Sequence, residues 1–181
     1  VLALTFTNKA AKEMNERISS IVGVGKSRGL WSGTFHSIFA RILRAESQFI
    51  GFESNFTIYD SSDARSLIKS IIKELKLDDK TYKPSKVQGR ISDAKNRLML
   101  PQVYAADTHM TSRDARDNMP DVHRIYTEYF KRCRTSRAMA FDDLLLYTFL
   151  LFDKAEEVRK KYAQRFRYIL VDEYQDTNYA Q

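Results

Sequence analysis

The chain has 181 residues, 43% apolar and 29% charged, with a formal net charge of +7; these are the proportions of a folded domain, not of a disordered tail. One cysteine excludes a disulfide scaffold, and three prolines with six glycines exclude a many-stranded sandwich that turns every ~10 residues. The longest apolar stretch, Leu144–Phe152 around Thr148, is well short of the ~20 residues of a bilayer span, so a soluble, cytoplasmic protein is expected.

Val1–Thr5 reads as a buried strand, short, apolar and closed by polar residues. From Asn8 the spacing becomes helical: Ala11, Met14, Ile18 and Ile21 share a face, Thr7 or Asn8 stands at the cap, and Gly23 and Gly25 stop it. Leu30–Thr34 is a second strand, after which Ile38, Ile42, Ala45 and Phe49 mark a helix face. Phe56–Tyr59 is brief and extended.

Beyond it the pattern stays helical. Leu67, Ile71 and Leu75 line one helix, opened by Asp60-Ser61-Ser62, and Val87, Ile91, Ala94 and Leu98 line another, with Pro101 past its end. Residues 105–118 are polar and weakly periodic, and no element is assigned there. Pro120 suits a first helical turn, followed by Val122, Tyr126, Tyr129 and Cys133 on one face. Asp142 is placed to cap the apolar helix through Phe152, and Val158, Tyr162 and Phe166 mark the next one. Tyr168–Val171 reads as a buried strand running into Asp172-Glu173.

Strands at both ends with helices between them describe an α/β domain, helix-dominated overall, into which a helical subdomain is inserted. Residues 1–56 carry seven basic and four acidic side chains, 57–140 seventeen and eleven, and 141–181 six and eight. The middle block is thus the electropositive one, suited to a polyanion or simply to a solvated helical surface. The chain opens on an apolar run without an initiator methionine and stops just after Asp172–Asn178, so a piece of a longer polypeptide is expected.

Two adjacent carboxylates at the end of an apolar strand are awkward as packing, because neither is buried readily without a cation or donors. At the C-terminal edge of a parallel sheet they suit a nucleotide-phosphate site. Asp172 would hold Mg²⁺ through coordinated water and Glu173 would polarise the water that attacks the γ-phosphate, the Walker B arrangement of P-loop NTPases. The bland alternative is a strand ending in solvated acids.

The longer string decides between them. Asp172-Glu173-Tyr174-Gln175-Asp176-Thr177-Asn178 closely resembles motif II of superfamily 1 DNA helicases of the UvrD/PcrA/Rep type. Thr5-Phe6-Thr7-Asn8-Lys9-Ala10-Ala11 resembles motif Ia of that family, and Gly33-Thr34-Phe35-His36-Ser37 its motif Ib. Ile91–Asn96 resembles a segment of its helical insertion, and Phe141-Asp142-Asp143-Leu144-Leu145 the stretch where the chain re-enters the ATPase core.

The resemblance implies a partial RecA-like P-loop NTPase core (1A) at 1–56 and 141–181, interrupted by a helical 1B insertion at 57–140. It implies ATP and Mg²⁺ as cofactors, with Asp172 on the metal, Glu173 activating water and Gln175 helping to relay nucleotide state. It also implies movement along single-stranded DNA toward a duplex junction, with unwinding. Phe6, Thr7, Asn8, Thr34, Phe35 and His36 would line the DNA track: rings stack on bases, and hydroxyls, amides and helix N-termini bind phosphates. For Phe35 a core position under the next helix is the competing reading, and Phe6 has the same alternative. The family's phosphate loop and second RecA-like half would lie outside these residues, leaving 1–181 inactive alone.

Gly23-Val24-Gly25-Lys26-Ser27 imitates the tail of a phosphate loop, but Ser20 stands where the first glycine belongs and the segment follows a helix, so a surface turn is expected. His36, His109 and His123 have no zinc spacing, and Cys133 sits on an apolar stripe without a catalytic base. Lys69, Lys73, Lys76, Lys80, Lys83 and Lys86 suit either a duplex backbone or solvent. Two other functions stay open on the residues alone: a DNA- or protein-docking module without hydrolysis, and the motor part of a RecB/AddA-type helicase–nuclease.

Overall fold

Five strands form among the described residues, which in this computed structural model are 1–27 and 29–181, with all side chains but those of Val24 and Lys26. They are β1 (Leu2–Thr5), β2 (Trp31–Thr34), β3 (Thr57–Tyr59), β4 (Ala138–Ala140) and β5 (Ile169–Val171). β1 is the middle of a parallel sheet in the order β2-β1-β5, with Leu2 opposite both Trp31 and Ile169 and Thr5 opposite Thr34. β3 and β4 pair in parallel as a separate ribbon, Thr57 opposite Ala138. The chain divides into two units: Val1–Ser54 with Tyr147–Tyr179 and Gln181, and Asn55–Leu146 with Ala180. The architecture is α/β and helix-dominated, as the residue pattern implies.

In the first unit the sheet carries helices on both faces, as parallel sheets require. Strand alternation puts Leu2, Leu4, Trp31, Ile169 and Val171 on one face and Ala3, Thr5, Ser32 and Leu170 on the other. The second face is covered by α1 (Asn8–Val22), whose Asn15 accepts a hydrogen bond from the Ser32 hydroxyl. α1 starts at Thr7, whose Oγ1 accepts from Ala10 N at 3.1 Å, and stops at Gly23, where φ of +82° suits a residue without Cβ. Ile21 departs from its expected place on the packed face and is 76% exposed. Fifteen helical residues rise about 22 Å against about 13 Å for a four-residue strand, so the last turn overshoots the sheet. A four-residue helix, α2 (Val24–Ser27), comes next; the Gly-Lys-Ser run therefore comes after a helix and not after a strand.

The Trp31 face is covered by α3 (Phe35–Ala45), with Ile38 and Ile42 buried, and by the chain's last helix, where Tyr162 and Phe166 meet the indole edge-on at 6.2 and 5.3 Å. α3 ends at Ala45, so the face predicted to reach Phe49 breaks there and Phe49 falls in a half-exposed 3-10 turn. The interruption is Glu46, buried at the helix end, where its carboxylate accepts from Lys161 Nζ at 2.6 Å and from the Tyr162 hydroxyl at 3.1 Å. Burial, helped by that carboxylate, pushes the Tyr162 hydroxyl up to about 12.

β5 corrects a sequence expectation. Tyr168–Val171 reads as buried, yet Ile169 and Leu170 are each 60% exposed. β5 has β1 on one side and no described strand on the other, so half of the cover given to a central strand is absent. Ile169 and Val171 instead line an apolar cavity of about 310 Å³ shared with Leu2, Leu4, Phe35 and Phe166.

The second unit is built of helices closed by the β3–β4 ribbon. α4 (Ser61–Glu74) opens with a capping box, Asp60 accepting from Ser62 and Asp63 amides while Asp63 accepts from Asp60 N, and it buries Ala64, Ile68, Ile71 and Ile72. α5 (Pro84–Asn96) buries Val87, Ile91 and Ala94 against it. The unassigned stretch is two short helices, α6 (Pro101–Ala106) and α7 (Thr108–Arg116), divided by Asp107, which caps the Met110 amide at 2.9 Å. Each buries only two residues, which is why the residues there show no clear period.

Pro120 precedes α8 (Val122–Thr135), whose Val122, Ile125, Tyr126, Tyr129 and Cys133 are buried. Burial pushes the Cys133 thiol up to about 11, so it packs as a neutral sulfhydryl. α9 (Asp143–Lys154) is shared: Asp143–Leu146 belong to the helical unit and Tyr147–Lys154 to the sheet unit, followed there by α10 (Glu156–Arg165). No helix among the described residues is long and apolar enough to cross a membrane.

Candidate functional site

Three parallel strands that end at one edge deliver their succeeding residues to that edge. β1 is followed by Phe6, Thr7 and Asn8, β2 ends in Thr34 and is followed by Phe35 and His36, and β5 is followed by Asp172 and Glu173. The sheet thus gathers at its C-terminal edge residues that are far apart in sequence. In open α/β sheets this edge is where ligands bind.

Asp172 and Glu173 are both exposed, and neither is paired with a lysine, arginine or histidine among the described residues. Asp172 N donates to Leu4 O at 2.9 Å, continuing the ladder, and Asp172 Oδ2 accepts from the Thr5 hydroxyl at 3.4 Å. Glu173 takes φ +51°, in the left-handed region, which a non-glycine residue adopts against a steric penalty. That kink ends the strand and starts a 3-10 turn at Tyr174–Asp176, which brings the Gln175 amide back to donate to the Glu173 carboxylate. Gln175 and Glu173 therefore form one hydrogen-bonded unit.

No cluster of three or more histidine, cysteine, aspartate or glutamate side chains converges among the described residues. Mg²⁺ keeps several waters and takes one or two carboxylates plus phosphate oxygens. The exposed Asp172–Glu173 pair fits that donor set.

The aromatic and hydroxyl candidates divide on burial. Thr7 and Asn8 are exposed at the N-terminus of α1, with amides and side chains available to an anion. Phe6 is half-buried, its ring tilted against Phe35 at a centroid distance of 5.3 Å. Phe35 is 2% exposed and also meets Phe39 edge-on at 5.9 Å, so its ring is not open to a base; it supports Phe6 from the core. Thr34 is buried and its Oγ1 caps α3 by accepting from Ser37 N at 3.2 Å, while His36 is half-buried in the first turn.

The two segments singled out inside and after the insertion meet elsewhere. Lys95 and Asp143 form a buried ion pair at 2.7 Å, with the ammonium 4.8 Å from the Tyr129 ring centroid and Asp143 Oδ2 accepting from Ala140 N at 2.8 Å. Both segments stand out in the sequence, but nothing in their residues shows that a charge pair joins them. Thr5 likewise lies within a distinctive string that gives it no role; the signal that finds it is its position at a strand's end, in register with a carboxylate.

The family model described as "UvrD/REP helicase N-terminal domain" matches residues 1–181. The chain is 44% identical over 183 residues to the protein named ATP-dependent DNA helicase PcrA of Leuconostoc citreum, covering 100% of this chain and 23% of that protein. It is 44% identical over 181 residues to proteins of the same name from Bacillus subtilis (strain 168) and Staphylococcus aureus (strain Mu50 / ATCC 700699), covering 100% of this chain and 24% of each. The chain thus spans about a quarter of the length of the curated relatives it matches.

Proposed function

The chain belongs to the UvrD/REP helicase N-terminal domain family, and on that premise we propose that it is part of an ATP-dependent DNA helicase that moves along single-stranded DNA and opens duplex ahead of it. The observation that carries the reading is the shared sheet edge, where the Asp172–Glu173 carboxylates, with no cation against them among the described residues, follow β5 beside the exit of β1, with β2 ending at the same edge. Relatives named PcrA favour this branch over the helicase–nuclease alternative.

Bound Mg²⁺ would neutralise phosphate charge and orient the nucleotide. Asp172 would hold that ion's water shell, since Mg²⁺ prefers carboxylate contacts through or beside retained waters. Glu173 would accept a proton from the attacking water, its carboxylate fixed by the Gln175 amide and by the strained backbone. Thr7, Asn8 and the first amides of α1 would hold phosphates of the strand, and the open part of Phe6 would meet a base. Thr34 and His36 would extend that track from β2; Phe35 acts only through Phe6. The six lysines of 69–86 are exposed and could follow the duplex backbone.

Glu173→Gln in the full-length protein tests the reading. DNA-stimulated ATP hydrolysis should fall by about 10²–10⁴-fold while nucleotide binding persists. Undiminished turnover would remove the catalytic assignment.

A further inference from the structure

Thr5 closes β1 and is 2% exposed, yet its side chain is polar. Alternation puts it on the same sheet face as Asp172, with Leu4 and Val171 paired just before them, and its hydroxyl donates to Asp172 Oδ2 at 3.4 Å. The backbone bond from Asp172 N to Leu4 O at 2.9 Å fixes the two chains beside that contact. Asp172 has no cation against it among the described residues. Thr5 is also the residue directly before Phe6, Thr7 and Asn8, and Thr7 caps α1. A single buried hydroxyl therefore connects the exposed carboxylate to the segment that leaves β1.

We infer that Thr5 is a positioning residue that orients the Asp172 carboxylate and couples the occupancy of the nucleotide site to the strand-gripping segment Phe6–Asn8. The inference rests on the nucleotide reading proposed above. A carboxylate that receives one O–H on Oδ2 keeps Oδ1 for a metal-bound water and loses freedom to rotate. Any shift of Asp172 on metal binding pulls the end of β1 and with it the N-terminus of α1. Because coupling between two sites is reciprocal, the same contact transmits strand binding back to the nucleotide.

Thr5→Val keeps the shape and β-branching but removes the proton, whereas Thr5→Ser keeps the donor. In the full-length protein, Mn²⁺ affinity with a non-hydrolysable ATP analogue is read by electron paramagnetic resonance. Affinity for a fluorescent oligothymidylate is read by anisotropy, with and without the Mg²⁺ analogue complex. Thr5→Val is expected to weaken Mn²⁺ by about threefold to tenfold and to move the with/without affinity ratio toward one. Its nucleotide-free oligothymidylate affinity should stay unchanged, and Thr5→Ser should keep all three values. Wild-type Mn²⁺ affinity and ratio in Thr5→Val overturn the inference, as does an equal loss of nucleotide-free DNA affinity, which marks structural damage. If that happens while Glu173→Gln is still inactive, only Thr5 has failed; full turnover in Glu173→Gln overturns both.

Discussion

Glu173 combines a strained backbone with an exposed carboxylate. Its left-handed backbone ends β5 and turns the chain so that Gln175 reaches its carboxylate. Nothing in the seven-residue string Asp172–Asn178 shows that φ is positive, although the string is sufficient to single the residue out. In the helical unit, Glu74 is a structural acid. Two bonds from Arg132, at 2.9 and 2.5 Å, with a further bond from Ser70, hold its carboxyl down to about 2 against an ordinary 4.5. A carboxyl depressed in the fold stabilises above its unfolded value and loses that contribution as pH falls. The thermal midpoint should therefore decline between pH 4.5 and about 2, and Arg132→Ala should flatten the curve over that window. Superimposable scanning-calorimetry profiles for the two proteins would contradict this.

Helices and strands here obey local rules until a neighbour overrides them. Asp60 and Asp63 cap α4 as their spacing requires, and Gly23 stops α1. α3, by contrast, ends early because Glu46 is drawn inward by Lys161 and Tyr162, residues more than a hundred positions away. The same holds for α5, where Lys95 sits on a buried stripe and is tolerated only because Asp143 arrives at 2.7 Å. Removing one partner leaves an unpaired buried charge, so Lys95→Met should cost about 3–5 kcal/mol in urea unfolding. Adding Asp143→Asn, which keeps an acceptor for Ala140 N, should restore part of that stability; no recovery in the double variant would mean the pair is not the source of the loss.

For the molecule as a whole, the sheet edge concentrates the candidate site, while residues 57–140 hold seventeen basic and eleven acidic side chains. No Gly-x-x-x-x-Gly-Lys-Ser/Thr phosphate loop follows a strand within residues 1–181. Residues 1–181 alone should accordingly show no measurable ATP hydrolysis in a coupled assay with oligothymidylate. A rate that Glu173→Gln abolishes would refute that expectation.

Much of this protein is written in its residue order. The strand at Leu2–Thr5, the capped helix after it, the helical block and the acid pair at the end are all legible from apolar spacing, capping residues and a distinctive string, because those signals act within a few residues. Strand β4 and its pairing with β3, the two short helices in 101–116, the exposure of β5 and the Lys95–Asp143 pair have no local signature. Each depends on which distant segment packs alongside: Thr57 meets Ala138 and Thr5 meets Asp172 only once the chain has folded back on itself over a long separation. Periodicity reports which face of an element is apolar; it carries no information about the neighbour that covers that face, and that neighbour decides burial, pairing and the use of a hydroxyl.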